Sequence, residues 1–297
     1  ESIYSLLRDK KRRKNKKTNE LRENTKLVFS IIFSLNKIVN KYDYIIIDEC
    51  YQTSELDIIL STTLAHNFIF VGDPYQLGPI EEKSLDYKKM KIPEIMLNEQ
   101  YRMNELLIEF SNNFFYQNKI KSKKKEIFNF YTSPLLLIDT QDRKFFESEI
   151  NCSYINLEEG NIIKDILRCI ENNHIGNNKL SLGIITPYSG QNKLSREILK
   201  DYNSNIFEEI KISTVDSFQG QEKDIIILTL VRSNCLSEIG FLNEIRRINV
   251  AITRCKLGLI IIGDSNNFKD KFYKQLFLFV NTKGMVLDPS MLNDLLN

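Results

Sequence analysis

Cysteine and histidine are scarce and scattered in this sequence. Its 297 residues include five cysteines (Cys50, Cys152, Cys169, Cys235, Cys255), none in a C-x-x-C pair, and two histidines, His66 and His174. That spacing excludes the common zinc and iron–sulfur frameworks and reads as reduced core thiols of an intracellular protein. No apolar run reaches the roughly 18 residues a membrane helix needs, and no secretory leader pattern is present. The expectation is residence in the nucleus or cytoplasm, with no membrane partner. No internal repeat is visible, and the formal net charge of +2 names no class of partner. The first residue is Glu1 rather than Met, so a fragment is expected.

A hydrophobic content of 42% and a charged content of 27% suit a globular chain of one or two domains. Basic residues concentrate in two runs, 10–17 and 121–125. Each reads equally as a solvated helix face or localisation tract and as a contact with nucleic acid, since both use only charge. Residues 1–26 read as a helix or loose arm, and 27–39 begins as a strand and continues helically.

The organising stretch is 44–80. Ile45, Ile46 and Ile47, and then Phe68 to Val71, form short apolar runs of the kind that become parallel strands buried on both faces. Asp48 and Glu49 follow the first and Gly72, Asp73 and Pro74 the second, so carboxylates stand at strand carboxyl ends, where open α/β sheets hold ligands. An Asp there can hold Mg²⁺ and the adjacent Glu can deprotonate a water aimed at a γ-phosphate, the Walker B arrangement. A helix over 55–64 separates the two strands, and 81–93 reads as a charged linker.

Beyond it, 95–103 leads through Gln100, Tyr101, Arg102 and Met103 into a helix over 104–113. A second α/β unit then alternates strands at 135–138, 182–186, 210–213, 224–230 and 258–263 with helices at 158–170, 191–199 and 245–253, which means a largely parallel sheet. Arg102 suits either a hinge that meets a phosphate or an ordinary surface position. Thr186, Pro187 and Tyr188 suit a nucleic-acid backbone and base at a strand end, or a routine β–α loop. Ser213, Thr214, Gly220 and Glu222 are a more specific string, with hydroxyls for a backbone and a carboxylate for a ribose. Arg246 and Arg247 open a helix, either to stabilise charge on a transferring phosphoryl group or to pair with surface acids.

Taken in order, DECYQ, GDPYQLGP, QYRM, GIITPYSGQ, STVDSFQGQEKDIII and GFLNEIRRINVAITRCK resemble motifs II, III, the hinge motif, IV, V and VI of superfamily 1B helicases of the nonsense-mediated-decay and senataxin-like group. They cover about three quarters of the chain. The resemblance implies an α/β protein of two RecA-like parallel-sheet lobes with the P-loop NTPase helicase fold, residues 1–106 forming an incomplete first lobe and 107–297 the second. It implies ATP and Mg²⁺ as cofactors, single-stranded RNA or DNA as partner, 5′→3′ movement and a monomeric core; protein partners stay unknown. The roles it implies are Asp48 for Mg²⁺, Glu49 as catalytic base, Gln76 as γ-phosphate sensor, and Tyr101 on the adenine. Arg102 would meet the γ-phosphate, Glu222 the ribose near Gly220, and Arg246 or Arg247 would be the arginine finger, with no choice between them. Thr186, Pro187, Tyr188, Ser213 and Thr214 would line the strand.

One departure outweighs the others. No G-x-x-x-x-G-K-[ST] occurs, so the phosphate-cradling loop and its Lys are missing. The glutamine motif that reads adenine is absent too, Cys50 stands where Ala is usual, and Asn104-Glu105 replaces His-Pro. The expectation is an ATP-dependent helicase or translocase whose chain is inactive alone, and the alternative is a non-catalytic nucleic-acid-binding or scaffolding module with a RecA-like fold. An incomplete first lobe also predicts an exposed sheet edge.

Overall fold

The computed structural model describes residues 29–30, 41–79, 85–87, 89–130, 132–174 and 178–294. The basic arm over 1–26, most of the 27–39 run and part of the 81–93 linker lie outside the described residues. The chain divides into two compact units, 1–74 with 78–92, and 75–77 with 93–297.

In the first unit, β1 (Tyr42–Ile47) leads through a 3₁₀ turn (Cys50–Gln52) to α1 (Glu55–Thr62) and β2 (Ala65–Phe70). Ser54 caps α1 by accepting a hydrogen bond from the Asp57 amide at 3.2 Å, and Glu55 and Asp57 favour the first turn. The strands pair in parallel, with Ile45 opposite Phe68 and Ile47 opposite Phe70. Successive side chains point to opposite faces, and the described residues cover only one face. Ile47, Cys50, Ile58 and Tyr87 are buried together, whereas Ile46 is 65% exposed and Ile69 46%. The expectation of strands buried on both faces fails here, because the described part of this sheet holds two strands. Backbone amides of β1 and β2 should therefore exchange with deuterium well before those of the second unit's central strands, as mass spectrometry would show. Equal protection would contradict this account.

The second unit opens with β3 (Glu99–Asn104), α2 (Glu105–Phe114), β4 (Lys121–Lys124), β5 (Leu135–Asp139) and the hairpin β6 (Ser148–Ile150) and β7 (Ser153–Ile155). There follow α3 (Leu157–Asn173), β8 (Leu180–Thr186), α4 (Ser189–Ile198), β9 (Phe207–Thr214), α5 (Val215–Phe218) and β10 (Lys223–Thr229). A 3₁₀ turn (Gly240–Asn243), α6 (Ile245–Ile252), β11 (Cys255–Gly263), α7 (Lys271–Lys283), β12 (Met285–Leu287) and α8 (Met291–Asp294) complete it. Six strands pair in the order β12-β5-β11-β10-β8-β9, each pair parallel.

The two-residue period of the strands sorts their side chains into two cores. Leu135, Leu137, Ile226, Leu228, Leu259 and Ile261 face one, with α6 and α7 residues such as Val250 and Val280. Leu136, Ile138, Ile225, Ile227, Ile260 and Ile262 face the other, with α3 residues such as Ile163 and Leu167. This α/β sandwich is the fold class expected. Its α7 and β12 were not expected, because 271–287 mixes lysines and aromatics without a clean period.

Two expectations need correction. The boundary placed at 106 falls inside the second unit: Met103 and Leu107 are 1% and 3% exposed and share its core. Gln100 to Met103 form no helix start but part of β3, which pairs with β4 through Glu99 and Lys121 and through Gln100 and Ser122. The lysine run on β4 is thereby partly neutralised, Lys123 lying 3.0 Å from Glu99 and Lys124 pairing with Glu126.

Candidate functional site

In the first unit, β1 ends on an exposed carboxylate. Asp48 Oδ1 accepts a hydrogen bond from the Glu49 amide at 2.9 Å. Glu49 adopts left-handed φ of 52°, unusual for a residue with a side chain, and Gln52 Nε2 donates to its Oε2 at 2.7 Å. The turn is pinned behind by the Cys50 amide donating to the Val71 carbonyl at 2.9 Å and by the Tyr87 hydroxyl donating to the Cys50 carbonyl at 3.0 Å. Gly72 approaches so closely that an added Cβ would lie 2.9 Å from Cys50 Sγ. Burial pushes the Cys50 thiol up, so it behaves as a small apolar residue.

Gln76 is half-buried in the 75–77 segment that belongs to the second unit.

The second unit gathers charge at the amino ends of β10 and β11. Arg102 Nε donates to Glu222 Oε2 at 2.8 Å and its Nη1 to the Thr253 carbonyl at 3.0 Å. Lys256 Nζ stands 3.0 Å from Glu222 Oε1. Arg254, 3% exposed, donates from Nε to the Val250 carbonyl at 3.0 Å and from Nη2 to Thr253 Oγ1 at 3.3 Å. Arg102 first, and Lys256 after it, hold the Glu222 carboxyl below its ordinary range. Gln100 fixes the strand that carries Arg102, its Oε1 accepting from the amides of Arg102 and Met103 at 2.9 and 3.0 Å. Tyr101 is 70% exposed beside them. Gly220, at φ of 73°, forms the turn before Glu222.

Arg246 and Arg247 are not brought to this cluster. Arg246 forks onto Glu244, from Nε at 2.9 Å and Nη2 at 2.8 Å, and Arg247 Nη2 stands 3.4 Å from Asp216. Both occupy the first turn of α6, while Arg254 lies beyond its other end, about 12 Å along the axis at 1.5 Å per residue. Arg254 was quoted in the sixth motif but given no role. A signal for it exists: Glu222 and Arg254 each immediately precede one of two adjacent parallel strands, and Lys223 pairs with Cys255.

At the opposite, carboxyl edge of the sheet lie the residues expected on a nucleic-acid strand. Thr186 is fully buried and its Oγ1 accepts from the Tyr188 amide at 3.2 Å. Tyr188 is 2% exposed, its ring against those of Tyr154 and Phe241. Pro187 is half-buried and Ser213 is 7% exposed. Thr214, half-buried, donates its hydroxyl to Ser217 Oγ at 3.2 Å. Burial leaves Pro187 and Thr214 as the reachable members.

Behind this edge runs a buried polar network that the sequence reading did not assign. Arg232 Nε lies 2.9 Å from Glu147 Oε1, with both side chains under a tenth exposed, and its guanidinium stands 4.1 Å over the Tyr154 ring. Glu159 is fully buried, and one oxygen accepts from the Val231 amide at 2.9 Å. Desolvation pushes its carboxyl up to about 8.

Among the described residues no cluster of three or more His, Cys, Asp or Glu could hold a metal. A single carboxylate such as Asp48, completed by water and phosphate oxygens, is the usual Mg²⁺ donor set, so this site fits that ion with a nucleotide and not an ion held by protein alone. No described helix is long and apolar enough to cross a membrane.

A family model described as an AAA domain matches residues 82–266, and a second model of the same description matches 1–84. The chain belongs to this AAA-domain family, in its superfamily 1 helicase group. It is 33% identical over 280 residues to the regulator of nonsense transcripts 1 homolog of Drosophila melanogaster, covering 85% of this chain and 23% of that protein. An uncharacterized ATP-dependent helicase of Methanocaldococcus jannaschii is 32% identical, covering 80% of this chain and 38% of the relative. The DNA polymerase alpha-associated DNA helicase A of Schizosaccharomyces pombe is likewise 32% identical, covering 84% of this chain and 41% of the relative. The chain thus spans well under half the length of these relatives.

Proposed function

We propose that this chain is part of an ATP-dependent helicase or translocase that moves 5′→3′ on single-stranded RNA or DNA inside the cell. The observation that carries the reading is the arrangement around Glu222, where Arg102 and Lys256 both pair with one carboxylate and Arg102 and Arg254 both reach Thr253. A phosphate could take over the donors that now serve Glu222, and a ribose could take the freed carboxylate. Residues 41–92 then represent an incomplete first lobe and 93–297 a second.

Bound ATP with Mg²⁺ would supply the phosphoryl group whose transfer to water drives movement. Asp48 would hold the ion. Glu49 would take a proton from the attacking water, and because Gln52 occupies Oε2, Oε1 is the atom left to accept it. Gln76 would couple the γ-phosphate to the strand, and Tyr101 would stack on the adenine. Arg254 joins Arg102 as the candidate for charge stabilisation, worth roughly 10³–10⁵ in rate, in place of Arg246 and Arg247, which are engaged elsewhere.

The sequence has no phosphate-cradling loop, so the chain alone should bind oligonucleotides in a salt-sensitive way while hydrolysing no ATP. ATPase and strand-binding assays beside a Glu49→Gln control test this. Strand-stimulated hydrolysis lost in Glu49→Gln would overturn the view that the cradle is missing, and failure to bind any strand would overturn the reading of function.

A further inference from the structure

We propose that Phe241 is a stacking platform for an unpaired base of single-stranded RNA or DNA. The proposal rests on the strand-binding reading above and adds the residue that receives a base.

A lone exposed aromatic is common on protein surfaces and carries no argument by itself. Phe241 differs in how it is held. It is 60% exposed, yet its neighbour Leu242 is fully buried and its turn is tied down by the Tyr273 hydroxyl donating to the Leu242 carbonyl at 2.9 Å. Gly240, at φ of 53°, packs so tightly that an added Cβ would lie 2.6 Å from both Arg232 Nη1 and Tyr188 Oη. The turn is therefore seated on the buried Arg232 and Tyr188, and the next side chain is the one left outside. The Phe241 ring is backed by the Tyr188 ring, centroids 5.6 Å apart, and by the Arg247 guanidinium at 5.4 Å.

Its position supplies the ligand. Arg247 also reaches Asp216, two residues beyond Thr214, and Tyr188 stands two residues beyond Thr186. Thr186 and Thr214 pair across β8 and β9. Phe241 is thus linked by contacts to both strand ends at the carboxyl edge, where open parallel sheets meet their ligands. An aromatic fixed against an arginine is an element that accepts bases without regard to sequence. The nearby acids do not block this role, because Asp216 is paired with Arg247 and Glu244 with Arg246. A docked protein would need a contiguous apolar patch, whereas the arrangement here is one ring and one cation.

The whole chain is titrated with oligo-dT and oligo-U of about 12 nucleotides, within the usual site size, and with an abasic oligonucleotide of equal length. Phe241→Ala should weaken binding to the base-bearing strands by roughly 5- to 150-fold and leave abasic binding nearly unchanged, with Phe241→Tyr restoring affinity. The sequence contains no tryptophan, so Phe241→Trp introduces a single emitter that stacking should quench at saturation. The oligo-dT and oligo-U arms show whether both nucleic acids or only one is accepted. Equal binding by wild type and Phe241→Ala, with unchanged emission from Phe241→Trp at saturation, overturns the platform and leaves strand binding standing. A wild-type chain that binds no oligonucleotide removes the strand-binding reading and the platform with it.

Discussion

Arg232→Ala is expected to cost the second unit about 3–5 kcal/mol, the usual result of leaving one member of a buried ion pair unpartnered. Glu147, its partner, is 8% exposed by side chain and would face the interior with a charge that only Asn234 and the Ser233 amide could share. The same change removes the cation over Tyr154 and the 3.3 Å donation to the Tyr188 hydroxyl. For a unit of this size the melting temperature should fall by roughly 10 °C. Arg232→Lys should recover only part of the loss, since an ammonium cannot reproduce a planar fork that meets a carboxylate and a ring together. Denaturant midpoints of the three proteins measure this. A loss below about 1 kcal/mol, the range of a surface pair, would show that the network is solvated.

The second large effect depends on pH. Burial, which disfavours its charge, pushes the Glu159 carboxyl up from an ordinary 4.5 to about 8, with Asp264 and Glu147 adding to the same direction. The folded state holds the proton more tightly, so the stabilising contribution is full below pH 4.5 and is lost as the pH rises towards 8. At about 1.4 kcal/mol per unit, wild type should lose about 3 kcal/mol relative to Glu159→Gln between roughly pH 5 and pH 7.5. Glutamine keeps an oxygen for the Val231 amide and never ionises. Urea midpoints of both proteins across that range give the answer, and a difference that does not change with pH would mean the carboxyl is hydrated.

Both predictions concern residues that the sequence hardly marks, and the reason is physical. The central strands β5, β10 and β11 were legible because each carries a run of four apolar residues buried on both faces, as in Ile225 to Leu228. The first unit has runs of the same composition, but Ile46 remains exposed, since a run of isoleucines does not reveal how many neighbours its sheet will have. The motifs singled out Arg102 and Glu222 separately, and the fold brings them together across 120 residues of chain. The motifs could not show that Arg246 is already held by Glu244, or that the Tyr188 ring is enclosed by Tyr154 and Phe241. Glu147 and Glu159 lie outside every motif, and only the fold brings them beneath the edge where Arg232 and Tyr188 sit.

The central claim is that the proposed hydrolytic side chains are present while the phosphate cradle and the adenine-reading glutamine motif are wanting. It is tested most directly by joining the P-loop-bearing segment of a related ATP-dependent helicase ahead of residues 41–297 and measuring ATP hydrolysis with and without single-stranded RNA or DNA. The account predicts strand-stimulated hydrolysis that falls by roughly 10²–10⁴ in Glu49→Gln, the contribution of a positioned general base. A folded chimera that binds both ATP and strand, yet hydrolyses no faster than its Glu49→Gln counterpart, would contradict it and leave a nucleic-acid-binding module.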